Sequence, residues 1–237
     1  MKFPPSLEVT EQPIDISDLT HNQTRYYEDL AKNLAAKYVE LGQGRQVFTL
    51  SGPAGSGKSV IAAMLELIFK EGDSIFQFMN VGLDAFHLSN EKLNELDLIE
   101  RKGRYDTYDT ELLFTKLSGF KAGESILFPL YSRREHSPVP DRLPTANQNI
   151  LLLIEGQWLL RNTPEWSTIR DLSSYNYEIA GSTEDMRDNV IHRHMKGGRT
   201  KEDATSFYTK NDLPNTEEVL KNKVKSNEEV QFYKDIT

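Results

Sequence analysis

Cysteine is missing from the 237 residues, which removes disulfides and thiolate metal centres from consideration. Basic charge is also in short supply: 28 Lys and Arg stand against 36 Asp and Glu, a formal net charge of −8. Affinity for a phosphate backbone comes from clustered cations, so nucleic acid is not an expected partner. No apolar run approaches the roughly 20 residues that cross a bilayer. Residues 1–10 lack the basic-then-apolar layout of a secretory signal. Repeats and low-complexity tracts are absent as well. These absences describe a cytoplasmic protein with no nucleic-acid or membrane partner; a homodimer is compatible with all of them. The 38% hydrophobic content is enough to fill one substantial core, so residues 1–237 read as a single domain.

What is present is concentrated in Gly52-Pro53-Ala54-Gly55-Ser56-Gly57-Lys58-Ser59, which fits G-x-x-x-x-G-K-[ST] at every fixed position. An apolar run, residues 47–50, leads into it. Val60, Ile61, Met64, Leu65 and Ile68 follow on one face at helical spacing. Strand, glycine-rich turn and helix together make a P-loop. Glycines let the backbone curl until successive N–H groups point at phosphate oxygens, and the helix N-terminus adds partial positive charge. Lys58 is expected to reach the β- and γ-phosphates of a nucleoside triphosphate, and the Ser59 hydroxyl to bind Mg²⁺. Residues 52–60, including Val60, form the expected nucleotide contact.

Residues 1–20 mix prolines with acidic and apolar residues without a period. From 23 to 41, Tyr26, Leu30, Leu34 and Tyr38 fall four apart, as on an amphipathic helix that covers the sheet edge. Residues 1–45 are therefore an N-terminal extension with a covering helix, ended by Gly42 and Gly44. A strand over 74–83 delivers Asp84-Ala85-Phe86-His87 at its carboxyl end. Ligands of open parallel sheets gather there, so Asp84 is a candidate base for a hydroxyl attacking the γ-phosphorus. Residues 89–98 suggest a helix, and Asp109 or Thr110 can cap another that runs to 118. A short strand over 125–131 is followed at 132–141 by a proline-broken loop. Residues 150–154 are wholly apolar, as in a strand buried on both faces, and close with Glu155-Gly156. An acid ending such a strand beside a P-loop suggests a Walker B carboxylate for Mg²⁺. Thr163 can cap a helix with Pro164 at its first position, and 175–180 reads as a strand. Residues 183–196 are helical and polar; Arg187, Arg193, Lys196, Arg199 and Lys201 cluster there around Gly197-Gly198, and 183–210 is the expected lid. His192 and His194, two apart, point to different sides of that helix, which argues against a metal pair. The tail offers a helix over 216–223 and an edge strand over 230–233.

These residues resemble the P-loop kinases that include uridine kinase, phosphoribulokinase and bacterial type I pantothenate kinase, with their small uncharacterised relatives. The similarity covers about residues 46–215. It is carried by the P-loop, Leu83-Asp84-Ala85-Phe86-His87, the stretch Arg101-Lys102-Gly103-Arg104-Tyr105-Asp106-Thr107-Tyr108-Asp109, Leu130-Tyr131-Ser132-Arg133, Pro138-Val139-Pro140-Asp141 and Ile154-Glu155-Gly156. The lysine-glycine, tyrosine-aspartate stretch looks particularly like pantothenate kinase. The resemblance implies a three-layer α/β/α fold with a mostly parallel sheet and a helical lid. It also implies Asp84 as catalytic aspartate, Glu155 as the Mg²⁺-associated acid, and Arg193 and Arg199 as lid arginines. His87, which stands where uridine kinases often carry tyrosine, is a candidate acceptor contact with Arg104, Tyr105, Tyr131 and Arg133. The implied reaction is transfer of the γ-phosphoryl group of ATP to a hydroxyl of a small metabolite: pantothenate, or a sugar or nucleoside. The rivals from another class are a nucleotide-gated switch or a binding protein without kinase activity; the Asn-Lys-x-Asp motif by which a GTPase-like switch selects guanine does not occur in the chain, and Lys58, Ser59, Asp84 and Glu155 are all present.

Overall fold

The computed structural model of the chain describes residues 3–9, 11–132, 134–135, 137–145 and 147–231. A hairpin of β1 (Ser6–Val9) and β2 (Gln12–Asp15) precedes the helix α1 (His21–Glu40), the strand β3 (Arg45–Ser51) and the helix α2 (Lys58–Glu71). The strand β4 (Gln77–Gly82) runs into a short 3-10 turn, Leu83–Phe86, followed by α3 (Asn90–Glu95) and α4 (Thr110–Lys121). A second hairpin comprises β5 (Leu127–Ser132) and β6 (Ser137–Pro144). The chain continues through β7 (Ile150–Gly156), α5 (Pro164–Arg170), β8 (Tyr175–Ala180), α6 (Thr183–Lys196), α7 (Lys201–Phe207), α8 (Leu213–Lys221) and β9 (Glu228–Gln231).

The central sheet has five strands in the order β4-β7-β3-β8-β9, and every pairing in it is parallel. Strands that alternate their side chains between two covered faces must be apolar throughout, and this explains the unbroken run in β7. Leu151 and Leu153 join Phe48, Leu50, Tyr177 and Ile179 on the face covered by α1 and α2. Ile150, Leu152 and Ile154 join Val47 and Val81 on the opposite face, against Leu113 and Leu117 of α4 and Trp166 and Ile169 of α5. The result is a three-layer α/β/α structure.

The α1 helix begins at a capping box in which Thr20 and Gln23 satisfy each other's backbone. Its buried stripe is Tyr27, Leu30, Leu34 and Tyr38, so Tyr27 replaces the expected Tyr26. Tyr26 instead turns to the sheet edge, where its hydroxyl donates to the Gln231 carbonyl at 3.0 Å. The β6 segment corrects the expected loop at 132–141. Its prolines are tolerated because β6 pairs only with β5, outside the central sheet, so a missing N–H breaks no central ladder. Thr163 precedes α5 as expected, but its hydroxyl makes no capping bond. The hairpin at 6–15 and the helix α7 carry no period in the sequence and emerge only in the fold.

One glycine fixes how the strand ends meet. A Cβ on Gly156 would lie 2.4 Å from the Cβ of Leu83, so the turn after β4 packs against bare backbone. Gly156→Ala is expected to lower stability by about 1–3 kcal/mol through overpacking. Urea denaturation checks this, and an unchanged midpoint would show that the turn yields freely.

Candidate active site

Parallel register brings three strand ends together. Ser51 at the end of β3 pairs with Gly156, and Gly82 at the end of β4 pairs with Glu155. The P-loop leaves β3 at this edge. Gly55 has φ +78, and a Cβ there would lie 2.5 Å from the Met186 carbonyl of α6, so only glycine lets the loop and that helix approach. Asn189 of α6 donates to the Gly55 carbonyl at 3.0 Å and ties the two. Behind the loop, Ser56 N donates to the Pro53 carbonyl at 3.3 Å, and Ala54 packs against the cluster around Val190. Gly52 lies against the buried Ser56, whose Oγ would be 2.8 Å from an added Cβ.

Lys58 opens α2 and donates to the Pro53 carbonyl at 2.8 Å. Burial pulls its ammonium down to about 8, against the opposing pull of Glu155 and Asp84, and Arg193 lowers it further. Ser59 Oγ donates to Glu155 Oε1 at 2.8 Å. A small cavity of about 150 Å³ is walled by Gly55, Gly57, Lys58, Ser59 and Val60, by Asn189 and Arg193 of α6, and by Val9, Pro13 and Ile14 of the first hairpin. A larger cleft of about 540 Å³ adjoins it and is walled by Ser59, Glu155, Asp84 and Tyr131, among others.

Asp84 sits in the turn after β4, where its carboxylate accepts from the Tyr108 hydroxyl at 3.2 Å. Burial, then Asp84, raises the Tyr108 phenol well above its ordinary value, so it stays a donor. His87 is buried, with its ring edge-on to Tyr108 at 4.0 Å and Nδ1 3.9 Å from Asp84 Oδ1. Burial lowers its pKa to about 4, so the ring is neutral near pH 7.

The expected acceptor contacts divide. Tyr131 lines the cleft. Arg104 is held by Asp106 through Nε at 2.6 Å and a second bond, and Tyr105 packs edge-on to Trp158 with the Arg161 guanidinium over its ring, so neither reaches the cleft. Both are drawn into an ion pair and the core by neighbours the motif does not mention. Arg133 lies outside the described residues. The two arginines expected in the lid also differ: Arg193 lines the small cavity and pairs with Asp212 at 3.7 Å, whereas Arg199 is exposed with its guanidinium 4.0 Å above the Phe207 ring. Sequence reasoning missed Tyr108, Asn189 and the hairpin walls. Tyr108 lay inside the motif stretch already singled out; nothing in the sequence marked the others.

No family model matches the chain. It is 30% identical over 192 residues to a Schizosaccharomyces pombe protein named as a candidate uridine kinase, covering 77% of this chain and 81% of that one. It is 29% identical over 223 residues to the uncharacterised protein YggC of Escherichia coli, with 93% of each chain covered. Pantothenate kinase of Corynebacterium efficiens is 27% identical over 80% of this chain, which spans 60% of that enzyme. In fold, the chain is similar to the crystal structure of a candidate fructose transport system kinase from Silicibacter sp. TM1040, with a TM-score of 0.77, 24% identity, and 84% of this chain and 98% of that one covered. The glycine loop, the parallel sheet and these relatives define a P-loop kinase. The chain belongs to the uridine kinase-like family of P-loop kinases, ATP-dependent enzymes that phosphorylate an alcohol, and pantothenate kinase is among its relatives.

Among the described residues no helix is long and apolar enough to cross a membrane. The Ser59 hydroxyl and Glu155 carboxylate are hard oxygen donors, the type Mg²⁺ takes when substrate phosphates and water complete its shell. Lys58 also sets a pH dependence. Its folded pKa of about 8 lies below the ordinary 10.5, so between these values the unfolded chain binds more protons and stability rises with pH. Lys58→Met should raise stability at pH 7 by on the order of 1–3 kcal/mol, the relief of a desolvated but partly exposed charge, reduced by solvent screening. That advantage should shrink as pH climbs from 8 towards 10.5. Urea midpoints across this range measure it; an advantage that grows with pH would refute the assignment.

Proposed function

We propose that the two adjoining spaces are the donor and acceptor halves of one phosphotransfer site. The observation that carries this reading is the larger cleft, whose walls hold Ser59, Glu155 and Asp84 together. The loop amides and Lys58 would hold the ATP phosphates, with Arg193 facing the same cavity. Ser59 and Glu155 would hold Mg²⁺, which when bound neutralises phosphate charge. Asp84, oriented by Tyr108, would accept the proton of the acceptor hydroxyl as oxygen attacks the γ-phosphorus. Positioning and electrostatics then supply most of the rate.

The segment 183–210 acts as the lid in this proposal, moving with α6 and α7 over the donor, and residues 1–237 work as one domain. Arg193, which lines the smaller cavity, would meet developing charge, and Arg199 would join it only on closure. The acceptor is a small metabolite with a free hydroxyl. Motif similarity supports pantothenate, which the corynebacterial relative's name also carries. A sugar or a nucleoside is supported by the names of the fructose transport system kinase and the yeast uridine kinase homologue.

ADP release, with and without candidate acceptors, tests the reading. Asp84→Asn should lower turnover by about two orders of magnitude or more while leaving ATP affinity near that of the parent. Lys58→Ala should cripple turnover and weaken nucleotide binding. Unchanged steady-state rates in either variant would remove that residue from the mechanism.

A further inference from the structure

The walls of the larger cleft are acidic. Glu8 and Glu11 come from the first hairpin, Glu66 from α2, Glu135 from the turn between β5 and β6, and Asp84 and Glu155 from the strand ends. Among the described lining residues, Arg142 alone carries a positive charge. Three carboxylates accept local hydrogen bonds: Glu155 from Ser59, Asp84 from Tyr108, and Glu11 from Ser132 Oγ at 3.2 Å and the Arg134 amide at 3.3 Å. These bonds leave their charge in place. Lys102 does not line the cleft; its Nζ donates to Asn90 Oδ1 at 2.8 Å and sits 5.8 Å from the Tyr131 ring centre, near enough to Asp84 to feel its charge.

Two polar atoms of this region are buried without a hydrogen-bond partner. Asn80 Oδ1 belongs to a residue of the cleft wall. His87 Nδ1 belongs to a side chain only 5% exposed, directed at the Asp84 carboxylate that faces the cleft. An orphaned amide oxygen in the cleft wall needs a donor, which a hydroxyl supplies without bringing charge, and the neutral His87 ring behind Asp84 adds no cation there. Uncharged polar groups surrounded by carboxylates are suited to hydroxyls. An anion brought there would meet repulsion from several walls at once.

We propose that the acceptor is a polyhydroxylated molecule without negative charge, a sugar or polyol rather than a carboxylate or phosphate ester. This rests on the kinase reading. An acceptor oxygen forms its bond to the γ-phosphorus, the bond from that phosphorus to the β,γ-bridging oxygen breaks with its electron pair leaving on ADP, and the hydroxyl proton passes to Asp84. Asn80 binds a second hydroxyl of the same molecule.

Matched pairs separate charge from skeleton: panthenol with pantothenate, glucose with gluconate, ribitol with ribonate. For every pair that releases ADP, the neutral member should have kcat/KM at least tenfold above its carboxylate partner. Glu8→Gln combined with Glu135→Gln, both exposed and outside the phosphotransfer machinery, should narrow that ratio at least threefold. A carboxylate favoured over its neutral partner overturns the charge argument and leaves the kinase reading intact. A ratio that does not respond to the double substitution also overturns it. ADP release with no pair, from protein that binds an ATP analogue, counts against both.

Discussion

The hydrogen bond from Ser59 to Glu155 is the constraint on which the site depends. It joins the first turn of α2 to the end of β7, two elements far apart in sequence. Their distance is set by parallel register between β3 and β7, so any slip of one residue would turn Glu155 to the other face of the sheet. The same register, continued to β4, fixes where Asp84 leaves the sheet. The bareness of Gly156 lets that turn settle against β7 rather than above it. The glycine loop, Glu155 and Asp84 are thus placed by one sheet and not by three separate loops.

Charge is divided across this geometry. Lys58, Arg193 and Lys196 face the smaller cavity, where a triphosphate needs cations. Carboxylates dominate the larger one. Lys58 stands at the divide and feels Glu155 and Asp84 on one side and Arg193 on the other. A net charge of −8 therefore coexists with a cavity walled by cations, because Lys58, Arg193 and Lys196 are gathered at one loop and one helix.

Much of the central sheet was legible because its strands are buried on both faces and so are continuously apolar. Residues 175–180 match β8 at both ends, and 183–196 match α6. The P-loop was legible because its chemistry needs fixed residue types at fixed spacing. Tyr26 failed for a physical reason: two adjacent tyrosines lie about 100° apart on a helix, and only packing chooses between them. Prolines misled at 137–144 because they exclude a central strand but not a two-stranded ribbon. Arg104 and Tyr105 were read from a motif, while Asp106 and Trp158 decided their orientation. The hairpin at 6–15 left no trace, since its short strands present too few residues for a period to emerge.

That hairpin has a practical side. Val9, Pro13 and Ile14 close the smaller cavity, and Glu8 and Glu11 form a wall of the larger one. Trimming the gene to start at the first core strand would preserve the sheet and the phosphate loop yet open both chambers to bulk water. The amino-terminal arm walls both spaces, so the shape of each depends on a segment outside the central sheet.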